Sequence, residues 1–228
     1  MSKGEIKADD VVATIAETLP DGCYFVNMDE FLKTLDKADK FQPFGSKLFE
    51  YQIVDEDGKE RVFAYYTSNY KQAAFLKFFS RLQTFVLWFV DAASYIDIDD
   101  PQWVYFICYE KYKNDDGVES YATVGYTTVY EYYAYPQNIR PRISQMLVLP
   151  PFQKLGIGTT FLETIYKYYQ TQKNVTDITV EDPSEDFQHT EWLRARLPSM
   201  KLRMEQLQEE YEQVEKEYQQ ITEKLKSI

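Results

Sequence analysis

The sequence predicts an α+β layer fold, a mixed, mostly antiparallel sheet with flanking helices, preceded by a small α/β lobe and followed by a long heptad helix. Three observations carry that expectation. Short β-rich runs separated by Asp-Gly turns recur through the first two thirds of the chain. One such run then passes through a glycine turn into an amphipathic helix and a further strand, a β-turn-α-β order that adds a crossover to antiparallel strands. The last stretch, 199–228, abandons both patterns for a heptad stripe.

The first region, 1–90, reads α-α-β-β-α. Residues 9–19 form a short amphipathic helix with acidic side chains at its start, where the macrodipole favours them. Asn27-Met28-Asp29-Glu30 is a capping-box pattern opening a second helix with Phe31, Leu32 and Leu35 on its apolar face. Residues 49–54 and 61–66 are strand-like runs around Asp55-Glu56-Asp57-Gly58-Lys59, a hairpin signal. Residues 71–90 then read as one long helix, apolar nearly all round in its second half, which predicts a helix sandwiched in the core.

The second region, 91–188, opens with a meander. Strands at 103–109 and 121–133 flank the turn Asn114-Asp115-Asp116-Gly117, and a third strand at 142–149 leads into the glycine turn. A helix to about Tyr169 and a final strand at 175–180 complete the unit. In the third region Met200, Met204, Leu207, Tyr211, Val214, Tyr218, Ile221 and Leu225 alternate at spacings of four and three, with Glu, Gln and Lys between them. That stripe predicts a coiled-coil-like helix needing a partner surface, either the body of the protein or a second copy. Tyrosine at two stripe positions argues against a self-sufficient zipper, and Pro198 marks the junction.

Composition narrows the chemistry. A chain of 228 residues with 44% hydrophobic content can bury a substantial core, and 20 Tyr with 15 Phe imply a core and a groove built from aromatics. No apolar run reaches bilayer length and the N-terminus has no signal-peptide pattern, so a soluble intracellular protein with no membrane contact is expected. Cys23 and Cys108 lack metal-ligand spacing and read as reduced core residues. The net charge of −12 argues against direct nucleic-acid binding. It suits a basic partner, and equally suits plain solubility. His189 is the only histidine and no nucleophile is marked beside it, so carboxylates, tyrosines or backbone groups must carry any chemistry, with no metal.

The most informative run is 144–158. An apolar strand breaks at Pro150-Pro151, and Gln153-x-x-Gly156-x-Gly158 opens a helix carrying Phe161, Leu162, Ile165 and Tyr169. Backbone N–H groups at a helix N-terminus after glycines form a phosphate cradle, although a strand-to-helix turn packed tightly on glycine reads the same way. It is neither a P-loop nor a dinucleotide fingerprint. The strand at 175–180 ends at Glu181-Asp182-Pro183 beside that turn. A carboxylate next to a cradle makes sense if a bound electrophile is attacked by a group that a base deprotonates; the alternative is an acidic turn before proline. Asp91 follows the long helix, where the dipole disfavours an acid, so either the helix continues and solvates it or the site uses it. Asp97-Ile98-Asp99-Asp100 reads most simply as a solvated acidic loop, the alternative being the lining of a groove for a basic peptide. The run from Tyr130 to Tyr135 surrounds Glu131 with tyrosines, either as a floor for a lysine-bearing peptide or as core packing.

Several motifs recur together in order: Leu82-Gln83-Thr84-Phe85, Trp88-Phe89, Phe106 with Glu110-Lys111-Tyr112, Ala122-Thr123-Val124-Gly125-Tyr126, Thr128-Val129-Tyr130 and Tyr132-Tyr133. Arg140-Pro141-Arg142, Ser144-Gln145-Met146-Leu147, Pro151-Phe152-Gln153 and Asp177-Ile178-Thr179 with Glu181-Asp182-Pro183-Ser184 continue the series. Over residues 9–187 the chain thereby resembles the catalytic subunit of type B histone acetyltransferases, in the GNAT superfamily.

The resemblance implies a GNAT-like core over 91–188 after a type B N-terminal lobe. It implies transfer of acetyl from acetyl-CoA to lysines in the N-terminal tail of newly made histone H4, by direct amine attack. Met146, Leu147 and Val148 would align the pantetheine arm. Gln153, Lys154, Leu155, Gly156, Ile157, Gly158 and Thr159 would wrap the pyrophosphate. Glu181 matches the family's general base with Asp182 beside it, and Asp91 falls where the family usually carries Glu. Trp103, Tyr130, Glu131 and Tyr132 fall at positions that meet the histone tail. A WD-repeat histone chaperone is the implied partner, and nucleus and cytoplasm the implied compartments. The chain departs from the family at both ends, starting later and lacking an internal segment after Phe187. The strand at 175–180 should therefore be an exposed edge, and a catalytically impaired relative that binds histone or chaperone is the alternative function.

Overall fold

The strand-like runs join into one six-stranded sheet whose spatial order follows the chain: β1 Ser46–Val54, β2 Glu60–Asn69, β3 Trp103–Lys113, β4 Glu119–Ala134, β5 Asn138–Val148 and β6 Thr179–Val180. Every pairing is antiparallel except the last, β5 with β6, which is parallel. The computed structural model describes residues 9–38, 41–55, 57–114 and 116–190, with 215, 216 and 218. The heptad stripe lies outside the described residues apart from the last of these.

Both expected Asp-Gly hairpins form, and they use one device twice. Asp55 Oδ1 accepts the N–H of Lys59 at 2.8 Å, and Asn114 Oδ1 accepts that of Val118 at 2.8 Å. A short polar side chain thus closes each turn on its own backbone, which fixes the register of the flanking strands.

The helices are α1 Val11–Thr18, α2 Met28–Ala38, α3 Ala73–Leu82, α4 Val86–Phe89 and α5 Ile157–Gln170. Asp10 caps α1 by accepting the N–H of Ala13 at 3.0 Å, and Asn27 accepts the N–H of Asp29 at 2.8 Å at the start of α2. Helix α5 covers one face of the sheet, where Phe161, Leu162, Ile165 and Tyr169 meet Phe63, Tyr65, Phe106, Cys108, Val129 and Ile143. Helix α3 covers the other, setting Phe75, Phe79 and Leu82 against Tyr105, Ile107, Tyr109, Tyr126 and Leu147. Phe79 alone packs within 5.1 Å, centroid to centroid, of both Tyr105 and Tyr126. Fully burying one such ring is worth about 1.5–3 kcal/mol.

Three expectations need correction. Residues 71–90 are not one continuous α-helix: α3 tightens into a 3₁₀ turn at Gln83–Phe85 before α4. Its second half is not sandwiched either, since Trp88 is 59% exposed and Phe85, Leu87 and Phe89 are exposed beside it. Phe75, Phe79, Leu82 and Val86 supply the single stripe that the sheet buries, and among the described residues no further layer covers the outer side. Finally, the strand at 175–180 shrinks to the two residues of β6 plus a lone bridge from Val175 to Ile139. An Arg140–Asp177 ion pair at 2.6 Å spans the interval where ladder bonds are missing.

Cys108 is buried, and burial pushes its thiol up; Cys23 is half-buried and likewise raised. Both are free thiols. Among the described residues no helix is long and apolar enough to cross a membrane, and no three His, Cys, Asp or Glu side chains are grouped to hold a metal ion.

Candidate active site

The site grows from the place where β5 and β6 part. Their parallel pairing runs only through Arg142 with Thr179 and Ile143 with Val180. The N–H of Glu181 then donates to the Ile143 carbonyl at 2.9 Å, and the chain turns away through Asp182, whose φ is 35°. Beyond that point residues 144–148 of β5 have no strand on their outer side among the described residues. An extended ligand can pair with such an open backbone.

A bulge shapes the same spot. Val129 faces Ile143 and Thr128 faces Gln145, so Ser144 is the extra residue of β5. The bulge turns its hydroxyl toward β6, where it donates to Glu181 Oε2 at 2.6 Å. On the other side of β5, a Cβ at Gly125 would lie 2.3 Å from the Leu147 carbonyl oxygen. Only glycine lets β4 approach there.

After β5 the chain makes a 3₁₀ turn at Pro150–Phe152, and Gln153 Nε2 reaches back to the Val148 carbonyl at 3.0 Å. Lys154 has φ 64°, and Gly156 caps α5 with φ 74°. The first bond of the helix runs from Thr160 N–H to the Gly156 carbonyl at 3.1 Å. The N–H groups of Ile157, Gly158 and Thr159 therefore have no acceptor in the helix and form its positive end. Tyr65 steadies that end from β2, its hydroxyl donating to the Ile157 carbonyl at 3.0 Å. Phe152 is held from the sheet by the Arg61 guanidinium, 5.5 Å from its ring centre, while Arg61 forks onto Glu110 at 2.7 and 2.9 Å.

An aromatic group forms on the α3 face. Trp103 and Tyr130 meet edge to face at 4.8 Å, Tyr130 and Tyr132 lie tilted to one another at 4.7 Å, and the Arg142 guanidinium covers Tyr132 at 4.9 Å. The Tyr130 hydroxyl lies 3.0 Å from Asp100 Oδ2 and 2.5 Å from Gln102 Oε1. Its bond to Asp100 raises the Tyr130 pKa. Glu131, between the two tyrosines in sequence, lies on the opposite face, where its Oε1 accepts the Tyr169 hydroxyl at 3.1 Å. Burial raises the Glu131 carboxyl pKa against the lowering effect of that bond.

The expected carboxylates are all exposed. Glu181 is tied to Ser144, and Asp182 follows it. Asp91 lies in a turn just past α4, and three residues later the Ser94 carbonyl accepts Gln145 Nε2 at 2.8 Å. The segments bearing Glu181 and Asp91 are thus both tied to the pair Ser144–Gln145. Sequence reasoning assigned no role to Ser144, Gln145 or Tyr65; the first two stand in the matched Ser-Gln-Met-Leu motif, whereas the reach of Tyr65 across the sheet leaves no local signal.

A mixed sheet whose last parallel pair parts beside a glycine turn and a helix N-terminus is the arrangement that the GNAT resemblance implies. Residues 1–91 match the family described as Histone acetyl transferase HAT1 N-terminus. The chain is 45% identical over 183 residues to the histone acetyltransferase type B catalytic subunit of Homo sapiens, an alignment covering 80% of this chain and 43% of that protein. It is 39% identical over 168 residues to one from Dictyostelium discoideum, covering 71% of this chain and 34% of that protein. Over the matched residues the chain is similar to the catalytic subunits of type B histone acetyltransferases. It spans less than half the length of these relatives. Among solved structures, an aminoglycoside acetyltransferase from an uncultured soil metagenomic sample aligns with TM-score 0.41 and 15% identity, over 58% of this chain and 86% of that one.

Proposed function

We propose that the chain is a histone lysine N-acetyltransferase that moves acetyl from acetyl-CoA to a lysine in the N-terminal tail of histone H4. The observation that carries this reading is the Glu181 carboxylate, held through Ser144 Oγ at 2.6 Å beside the unpaired end of β5. Glu181 takes a proton from the lysine amine, directly or through a water. The amine nitrogen bonds to the acetyl carbonyl carbon, the C–S bond breaks, and the thiolate leaves and is protonated. No covalent enzyme intermediate is needed.

The other residues supply binding. Backbone groups of Met146, Leu147 and Val148 line the open edge along which the pantetheine arm pairs. Gln153, Lys154, Leu155, Gly156, Ile157, Gly158 and Thr159 surround the pyrophosphate at the positive end of α5. Trp103, Tyr130 and Tyr132 receive the aliphatic stem and charge of a lysine, and Asp182 and Asp91 add negative potential that draws the basic tail in. Glu131 braces α5 from beneath. A WD-repeat histone chaperone would present the histone, and work on newly made histone would place the protein in both cytoplasm and nucleus.

Incubation of the chain with acetyl-CoA and a histone H4 tail peptide should give acetylated lysine well above an E181Q control. Equal signal from the two would overturn the reading. The exposure of Glu181 and Asp182 beside a two-residue β6, and that of Asp91 past α4, favours one alternative, a catalytically impaired relative that binds histone or chaperone. In that case acetyl-CoA leaves the melting temperature unchanged while peptide binding persists.

A further inference from the structure

Two buried glutamines have no part in the reaction above. Gln83, in the 3₁₀ turn after α3, is 5% exposed, and Gln145, on β5, is 6% exposed. An amide side chain is rarely so deeply buried unless its polar atoms are used. Gln83 Oε1 accepts the N–H of Ile96 at 3.2 Å, and Gln145 Nε2 donates to the Ser94 carbonyl at 2.8 Å. A third bond continues the series, from the Tyr105 hydroxyl to the Ile98 carbonyl at 3.3 Å.

The three contacts fall on alternate residues of one segment. Residues 93–97 belong to no helix, turn or strand, yet positions 94, 96 and 98 are each held through the backbone. The holders come from β5, the end of α3 and β3 in turn. Side chains thus do here what a neighbouring strand does in a sheet, satisfying backbone groups of a segment that has no strand beside it. Ile96 and Ile98 pack into the α3-side core, which sets the facing of the segment. Its ends carry Asp91 on one side and Asp97, Asp99 and Asp100 on the other, and Asp100 meets the Tyr130 hydroxyl.

We propose that Gln83, Gln145 and Tyr105 form a side-chain ladder that fixes the strap 91–100 against the sheet and so positions its carboxylates as the rim for a basic, lysine-bearing peptide. The three are positioning residues for the acceptor side of the site. The peptide part rests on the acetyltransferase reading; the ladder itself does not.

The two glutamines use opposite ends of the amide, which gives the test its sign. Gln83→Glu keeps an acceptor oxygen facing Ile96, whereas Gln145→Glu replaces the donor to Ser94 with an oxygen. Affinity for a histone H4 tail peptide and for acetyl-CoA is measured by calorimetry, with hydrogen exchange of residues 93–98 followed in the same proteins. Q145E should weaken the peptide about tenfold, roughly the effect of one lost buried contact, and leave acetyl-CoA within about twofold. Exchange should speed up across 93–98 in Q145E, and at Ile96 in Q83M, with little change in Q83E. If Q145E does not fold, Q83M and Y105F carry the test from separate elements. Equal effects of Q83E and Q145E, equal weakening of both ligands, or unaltered exchange at 93–98 would overturn the ladder. A wild-type chain that transfers no acetyl sinks the acetyltransferase reading alone, because the exchange pattern still decides the ladder.

Discussion

The Ser144 hydroxyl donates to Glu181 Oε2 across 2.6 Å, joining the bulged residue of β5 to the first residue beyond β6. With only two residue pairs in the β5–β6 ladder, this bond and that from Glu181 N–H to the Ile143 carbonyl set where the carboxylate points. Ser144→Ala frees the carboxylate while leaving the backbone contact. It should lower kcat about tenfold with the KM for acetyl-CoA nearly unchanged, against a loss of about 10²–10⁴ for E181Q. Steady-state kinetics decide it, and a wild-type kcat in S144A would mean that the bond does not orient the base.

Gly156 separates space from conformation. A Cβ there meets nothing within 4 Å, so the only obstacle to Ala is φ 74°. Holding Ala in that region costs about 1–2 kcal/mol. G156A should therefore weaken acetyl-CoA several-fold by calorimetry while the peptide binds as before. Unchanged cofactor affinity would show that the loop does not need its left-handed turn.

Arg61 joins the sheet to the turn before the cradle. Its guanidinium forks onto Glu110 and lies over Phe152, with both charged side chains mostly buried at 16% and 14% exposure. Arg61→Lys keeps the charge but loses the fork and the planar stack. The expected cost is about 1–3 kcal/mol of stability by denaturant titration, accompanied by faster exchange around Phe152. Stability equal to wild type would mean that a point charge suffices.

Glu131 gives a pH dependence of known sign. Burial raises its carboxyl pKa in the folded chain, so the folded state keeps a proton that the unfolded state gives up at ordinary carboxylate pH. Its contribution to stability is least adverse at low pH and worsens as pH rises from the ordinary carboxylate range through the raised value. Glu131→Gln keeps an acceptor for Tyr169 and removes the titration. Its melting temperature should match wild type in acid and exceed it at neutral pH. A wild-type advantage at neutral pH would mean that the charged form is the stabilising one.

Much of this was legible because local chemistry sets it. Asp55 and Asn114 announce two hairpins that close on their own side chains, and Gly156 announces a helix start. The stripe Phe75, Phe79, Leu82 and Val86 marks a covered helix face. The exposed state of Phe85 and Trp88 could not be read that way, since burial depends on whether another layer arrives, not on the helix's own composition. Nor could the meeting of Ser144 with Glu181, which needs a bulge set by the register of two strands. The facing of Glu131 depends on the same register, because adjacent strand residues face opposite sides.

The sheet repeats the order of the chain, β1 through β6, and that has a consequence for assembly. Three of its antiparallel pairs, β1–β2, β3–β4 and β4–β5, are joined by short connections and can zip from neighbouring residues with little loop-closure entropy. The β5–β6 pair must wait for α5 to cross over, and it is also the shortest. The contact that brings Glu181 to Ser144 therefore closes only after that crossover. A chain can hold nearly its full complement of ladder bonds and still lack the contact between Ser144 and Glu181.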